Sequence, residues 1–139
     1  MPAEMTLAHL GYVVRNMDTA IQRFVAEGAR ILIPPILDPV QRVYVCLLAL
    51  AGDVPLELVA PAGFPDCPIQ GRLARGGGLD HLCYQVDDLE QAIALEEGAG
   101  SMVVCRPCHA IAFGRDVAFV HRRSGLVVEY MARSEKPEG

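Results

Sequence analysis

Four residues of types that bind divalent metals stand at one fixed spacing. His9 is followed 48 positions later by Glu57 and His81 48 positions later by Glu129, the second pair lying 72 positions beyond the first. Each glutamate is flanked by apolar residues, Leu56 and Leu58 in one case, Val128 and Tyr130 in the other, and burying a lone carboxylate in such surroundings is costly. Two of them at equivalent places need a shared counter-charge. One divalent cation with two neutral imidazoles and two carboxylates is close to neutral and satisfies all four groups together. The mixed nitrogen and oxygen set suits Zn, Ni, Co, Mn or Fe(II) better than Mg or Ca, which prefer oxygen alone. Taken singly, each histidine reads as a half-buried strand residue and each glutamate as a solvent-facing one; it is the joint recurrence that makes His9, Glu57, His81 and Glu129 a ligand set. His109 and His121 have no equivalents at the 72 offset and are read as solvent-exposed at a loop or strand end.

The elements that must carry these residues repeat with the same offset. Ala20 and Ile21 fall on Ala92 and Ile93, Gly28 on Gly100, Pro35 on Pro107 and Val45 on Val117, with no insertion. A long period with only two copies indicates a duplicated module. Residues 7–14 form an apolar strand, and residues 18–27 carry apolar side chains at helical spacing before a glycine stop. Strands over 30–33, 42–50 and 54–60 complete a βαβββ module. The second copy places strands at 80–86, 102–105, 116–121 and 126–132 around a helix at 89–97. The expected fold is α+β, a single domain of two paired βαβββ modules (6–60 and 79–132) forming a curved, cup-like eight-stranded mixed sheet. The Pro-containing linker 61–78 holds about one turn of helix over 69–74, and the tail 133–139 is expected to be disordered. Alternation along the strands sets Gly11 and Val13 on the face of His9, with Leu10, Tyr12 and Val14 packed under the helix; Cys83 and Gln85 accompany His81, and Val127 and Met131 accompany Glu129.

With 139 residues, 52% of them hydrophobic, the chain suffices for one compact domain and is too short for two independent ones. A net charge of -5 without any Lys/Arg run gives no electrostatic footprint for nucleic acid or an anionic membrane; Arg122-Arg123 reads as a solvated turn. No apolar stretch is long enough to span a bilayer, and no signal-peptide pattern opens the sequence, so a cytoplasmic location is expected. Five cysteines, Cys46, Cys67, Cys83, Cys105 and Cys108, are an odd set for a disulfide scaffold, and reduced thiols are the default. Cys105-Arg106-Pro107-Cys108 has redox-motif spacing but follows a short strand and does not open a helix, where a thiolate would be stabilised. No second close cysteine pair exists to complete a four-sulfur zinc site.

The segments Ala8-His9-Leu10-Gly11-Tyr12-Val13-Val14, Pro55-Leu56-Glu57-Leu58-Val59-Ala60-Pro61, Asp80-His81-Leu82-Cys83-Tyr84-Gln85-Val86 and Gly125-Leu126-Val127-Val128-Glu129 resemble the vicinal oxygen chelate superfamily over nearly the whole chain. That superfamily contains glyoxalase I, methylmalonyl-CoA epimerase, extradiol dioxygenases and antibiotic-resistance proteins, and the epimerase-like branch is the nearest match. The resemblance implies a metal bound by His9, Glu57, His81 and Glu129, a small carbonyl or acyl-thioester substrate, and an enolate-like intermediate formed while a carboxylate moves a proton. Epimerases of this type commonly carry a glutamine at the position of Glu57 and a catalytic glutamate before the third strand, where this chain offers Asp38. Asp38 reads equally as the start of the turn before Pro39. The complete His/Glu/His/Glu set is similar to bacterial glyoxalase I, which makes Glu129 or Glu57 the candidate base, although the basic residues with which that enzyme binds glutathione find no match. A fourth protein ligand argues against ring cleavage. A non-catalytic binding protein, as some resistance members are, is the third reading, and the intact ligand set weighs against it. An isologous homodimer is the expected assembly.

Overall fold

The computed structural model describes residues 5–133. The first module runs β1 (Thr6–Val13), α1 (Met17–Ala26), β2 (Arg30–Asp38), β3 (Val43–Ala49) and β4 (Pro55–Pro61). A short helix α2 (Gln70–Ala74) sits in the linker, and the second module repeats the series as β5 (Gly78–Val86), α3 (Leu89–Gly98), β6 (Met102–Ala110), β7 (Arg115–His121) and β8 (Val127–Ala132). The chain is thus α+β, with two βαβββ modules whose eight strands make a mixed sheet. Two compact units divide the described residues: 9–80, and 5–8 together with 81–133. The expected tail beyond Arg133 lies outside the described residues.

In the first module the strand order is β2-β3-β4-β1. β1 and β4 run parallel, with Gly11 opposite Glu57 and Tyr12 opposite Leu58, because α1 and the β2-β3 hairpin carry the chain back before β4 begins. The side chain of Asn16 accepts the Thr19 N–H and caps α1, satisfying one of the donors a helix start leaves open. The helix stops at Gly28, whose φ of +101° an L side chain rarely adopts. Its apolar stripe, Ala20, Ile21 and Phe24, closes over Leu10, Tyr12 and Val14 of the strand and over Cys46, Leu48, Leu56 and Leu58, as the alternation requires. Gly77 has no substitute: its φ is +77°, and a Cβ there would stand 2.7 Å from the carbonyl oxygen of Val13.

The second module has the order β5-β8-β7-β6, with β5 parallel to β8 and Cys83 opposite Glu129. Asp88 caps α3 through the Gln91 N–H. Under the helix lie Val86, Val120, Val128 and Tyr130 with Leu89 and Ala92. On the opposite face Cys83, Ala110, Val117 and Met131 pack with Ala8 and Phe119, so Cys83 and Met131 take the face expected of them. Arg133 donates to Asp87 at 2.9 Å and to the Thr6 hydroxyl at 3.1 Å, tying the start of β1 to the end of this unit.

One difference from the sequence expectation recurs in both modules. β2 and β6 do not stop at Ile33 and Cys105 but continue to Asp38 and Ala110, through Pro34-Pro35 and Pro107. Proline ends a central strand because it has no N–H for the ladder; β2 and β6 stand at the ends of the strand order, where one row of N–H groups needs no partner. Each takes up its extra length through register shifts against its neighbour. Among the described residues no helix is long and apolar enough to cross a membrane.

Candidate functional site

Each module builds one buried histidine and glutamate pair from its two parallel strands. In the first, Gly11 is the register partner of Glu57, and His9, two residues earlier on the same face of β1, reaches across. His9 Nε2 lies 3.4 Å from Glu57 Oε1, with the two side chains 1% and 8% exposed. In the second, Cys83 is the register partner of Glu129, and His81, again two residues earlier, sets its Nε2 3.1 Å from Glu129 Oε1, both side chains 4% exposed. The 72-residue repeat therefore holds in register and contact as well as in sequence. Phe119 stands edge-on to His81 at a centroid distance of 5.5 Å and walls that imidazole in.

Buried carboxylates and imidazoles side by side can hold a cation, share a proton, or pass one to a substrate. A carboxylate so enclosed needs its charge balanced, and imidazole with carboxylate is the donor mixture that first-row divalent metals take. Asp38, the third candidate carboxylate, closes β2 and is buried. Its Oδ1 accepts the N–H groups of Val40 at 3.0 Å and Gln41 at 2.9 Å, so it does the work of turn initiation. His109 lies near the end of β6 beside the Asp116 carboxylate, with its side chain 59% exposed, and His121 is exposed at the end of β7.

A buried acid that the sequence reading passed over is Glu96 on α3. The Tyr130 hydroxyl donates to its Oε2, Ser101 Oγ donates to Oε1 at 2.8 Å, and Arg122 donates through Nε at 3.1 Å. Arg122 is thus no free turn cation. The signal was the helical spacing itself, since Leu89, Ala92, Ile93 and Glu96 share one face and that face is the buried one. A cavity of about 230 Å³ opens beside this network, bordered by Met5, Val86, Gln91, Leu95 and Arg122. Tyr130 points to it and Glu129 to the other face of β8, so the cavity is not where the histidine lies.

Burial pushes the Glu96 carboxyl up, but the donors from Tyr130, Ser101 and Arg122 outweigh it and hold the group below the ordinary value. Burial, then the bond to Glu96, pushes the Tyr130 phenol up to about 12. A carboxyl depressed in the folded state stabilises the fold at neutral pH, and that contribution is lost as pH falls through its lowered value; the raised phenol loses its contribution as pH rises toward 12. Replacing Glu96 by Gln is expected to cost about 1.5–3 kcal/mol at pH 7, the range for hydrogen bonds to a charged partner. In urea titrations the gap to wild type should close under acid conditions, and a gap independent of pH would contradict the assignment.

The sequence pattern of the glyoxalase/bleomycin resistance protein/dioxygenase superfamily matches residues 8–119. No curated protein matches the chain significantly. Among solved structures, a hypothetical protein from Bacillus halodurans C-125 is 25% identical, with 98% of this chain and 99% of that one covered and a TM-score of 0.81. Methylmalonyl-CoA epimerase from Mycobacterium tuberculosis is 24% identical, covering 93% and 88% at a TM-score of 0.79. A variant of the Streptomyces coelicolor methylmalonyl-CoA epimerase, in complex with 2-nitronate-propionyl-CoA, is 20% identical, covering 93% and 97% at a TM-score of 0.79.

Proposed function

Since the chain belongs to the glyoxalase/bleomycin resistance protein/dioxygenase superfamily, we propose that it is a divalent-metal-dependent isomerase, epimerase or lyase, which moves a proton next to the carbonyl of a small carbonyl or acyl-thioester substrate. The observation that carries this reading is the pair of buried His/Glu contacts, made at the same register in each module. His9, Glu57, His81 and Glu129 together supply two imidazoles and two carboxylates, a composition fitted to one divalent cation. When bound, that cation supplies Lewis-acid stabilisation of the negative charge that develops on the substrate's carbonyl oxygen. The imidazoles of His9 and His81 would be donors to the cation, and burial fixes their orientation. Glu129 and Glu57 are the carboxylates for the proton, one taking it from the substrate carbon and the same or the other returning it. Asp38, its Oδ1 engaged by two backbone donors, ranks behind them. The acyl-thioester class follows the likeness of fold to methylmalonyl-CoA epimerases. The expected assembly is a homodimer.

Glu57, a carboxylate where the epimerase-like branch commonly has glutamine, favours a glyoxalase I-type lyase as the second reading. Metal-free protein reconstituted with stoichiometric Ni, Co, Zn or Mn should catalyse entry of solvent deuterium into acyl thioesters. Turnover of hemithioacetals in place of this exchange would select the second reading. Neither reaction with any of the metals would leave a binding protein and sink both.

A further inference from the structure

Cys105 and Cys108 lie on β6, where an ordinary strand would keep them apart: residues three apart point to opposite faces and stand about 10 Å from each other. Here the strand is bulged. Cys105 pairs with Phe119 and Cys108 with Val117, three steps on β6 against two on β7, and the surplus residue folds the strand so that the two side chains meet. Their sulfurs are 3.4 Å apart. The same bulge occurs 72 residues earlier, between Ile33 and Ile36 of β2. The kink therefore belongs to the module, and the second module carries a thiol at each of the two positions that it brings together. Both cysteines are half-buried, whereas Cys46 and Cys83 are buried at 1% and 0% exposure.

We propose that Cys105 and Cys108 form a reversible dithiol/disulfide site, oxidised in place by a low-molecular-weight disulfide. One thiolate attacks a sulfur of the small disulfide, giving a mixed disulfide and releasing one small thiol. The second cysteine's thiolate attacks the protein-bound sulfur, closes the Cys105–Cys108 bond and releases the second small thiol. The protein loses two electrons and two protons, and the small disulfide is reduced to two thiols. The sulfurs have only to close from 3.4 Å to the roughly 2.05 Å of a disulfide. The absence of a helix start at this motif bears on the first attack; the second depends on proximity, which the bulge supplies. Cys108 and Phe119 share a packing cluster, and Phe119 is the ring against His81, so this chemistry takes place in the wall behind a candidate ligand.

The test equilibrates the full chain with glutathione at rising ratios of oxidised to reduced form, quenches in acid, alkylates and maps the peptides. Cys105 and Cys108 should become protected together, with loss of two hydrogens and no added glutathione, and dithiothreitol should restore both. Cys105→Ser and Cys108→Ser chains should stop at a stable glutathione adduct on the remaining cysteine. Cys46, whose thiol burial pushes up to about 11, should stay reduced throughout. Full alkylation of both cysteines under excess oxidised glutathione would overturn the proposal. So would a wild-type chain that stops at the adduct, or one that cross-links between copies.

Discussion

A His81→Ala chain is expected to bind its divalent cation at least about a hundredfold more weakly than wild type. Partners one shell further out already account for roughly 10–100-fold in affinity, and a direct donor must count for more. The change also removes the imidazole 3.1 Å from Glu129, leaving that carboxylate buried without its neighbour, and breaking a buried pair costs about 3–5 kcal/mol. Elemental analysis of protein purified without chelator reads the metal, and circular dichroism reads the fold. Glu129→Gln probes the carboxylate of the same pair, itself one of the four proposed ligands. It keeps the shape and one oxygen of the side chain, so it should leave a folded protein whose deuterium exchange falls by about 10²–10⁴, the usual contribution of a positioned acid or base. Full metal occupancy in the His81→Ala chain would refute the ligand assignment.

A large loss of stability that does not touch the proposed ligands is expected from Leu58→Ala. Leu58 is fully buried in β4, one residue from Glu57, and packs among Cys46, Leu48 and Leu56 under α1. Removing a buried leucine to its Cβ costs about 2–5 kcal/mol through lost transfer energy and the cavity left behind, a large share of the roughly 5–15 kcal/mol that holds a domain folded. Thermal unfolding should move down by on the order of 10–20 °C. Met102→Ala, at a side chain 66% exposed, is the control and should stay within about 0.5 kcal/mol. If the two variants unfold together, α1 does not close over β4 as described.

The two histidine and glutamate pairs were legible because a repeat in sequence constrains register. Once His9 and His81 lie on equivalent first strands and Glu57 and Glu129 on equivalent last strands of the two modules, the pairs follow from parallel pairing. The end of the first helix was legible from Gly28, whereas the caps supplied by Asn16 and Asp88 emerged only in the structure. What escaped depends on neighbours that local sequence does not name. Pro34, Pro35 and Pro107 read as strand ends, and only the strand order shows that β2 and β6 have a free side on which a missing N–H does no harm. The meeting of Cys105 with Cys108 escaped for the same reason, since a strand read as finished at Cys105 could not bulge beyond it. Glu96 was passed over although helical spacing put it on the buried face with Ile93: a glutamate is expected to face water, and the partners that satisfy it, Tyr130 and Arg122, stand more than twenty positions away.

The edge prolines also bear on how this protein behaves at high concentration. β2 is an apolar ribbon with Ile31, Leu32 and Leu37 exposed, and β6 shows Met102 and Val104 to solvent. Such edges with unbroken rows of N–H and C=O groups are templates on which another copy can add a strand, the first step of ordered aggregation. Pro34 and Pro35 in one edge and Pro107 in the other delete donors from those rows, and the bulges twist what is left out of line. The interruptions that make these strands hard to recognise thus also guard the chain against assembling into fibres.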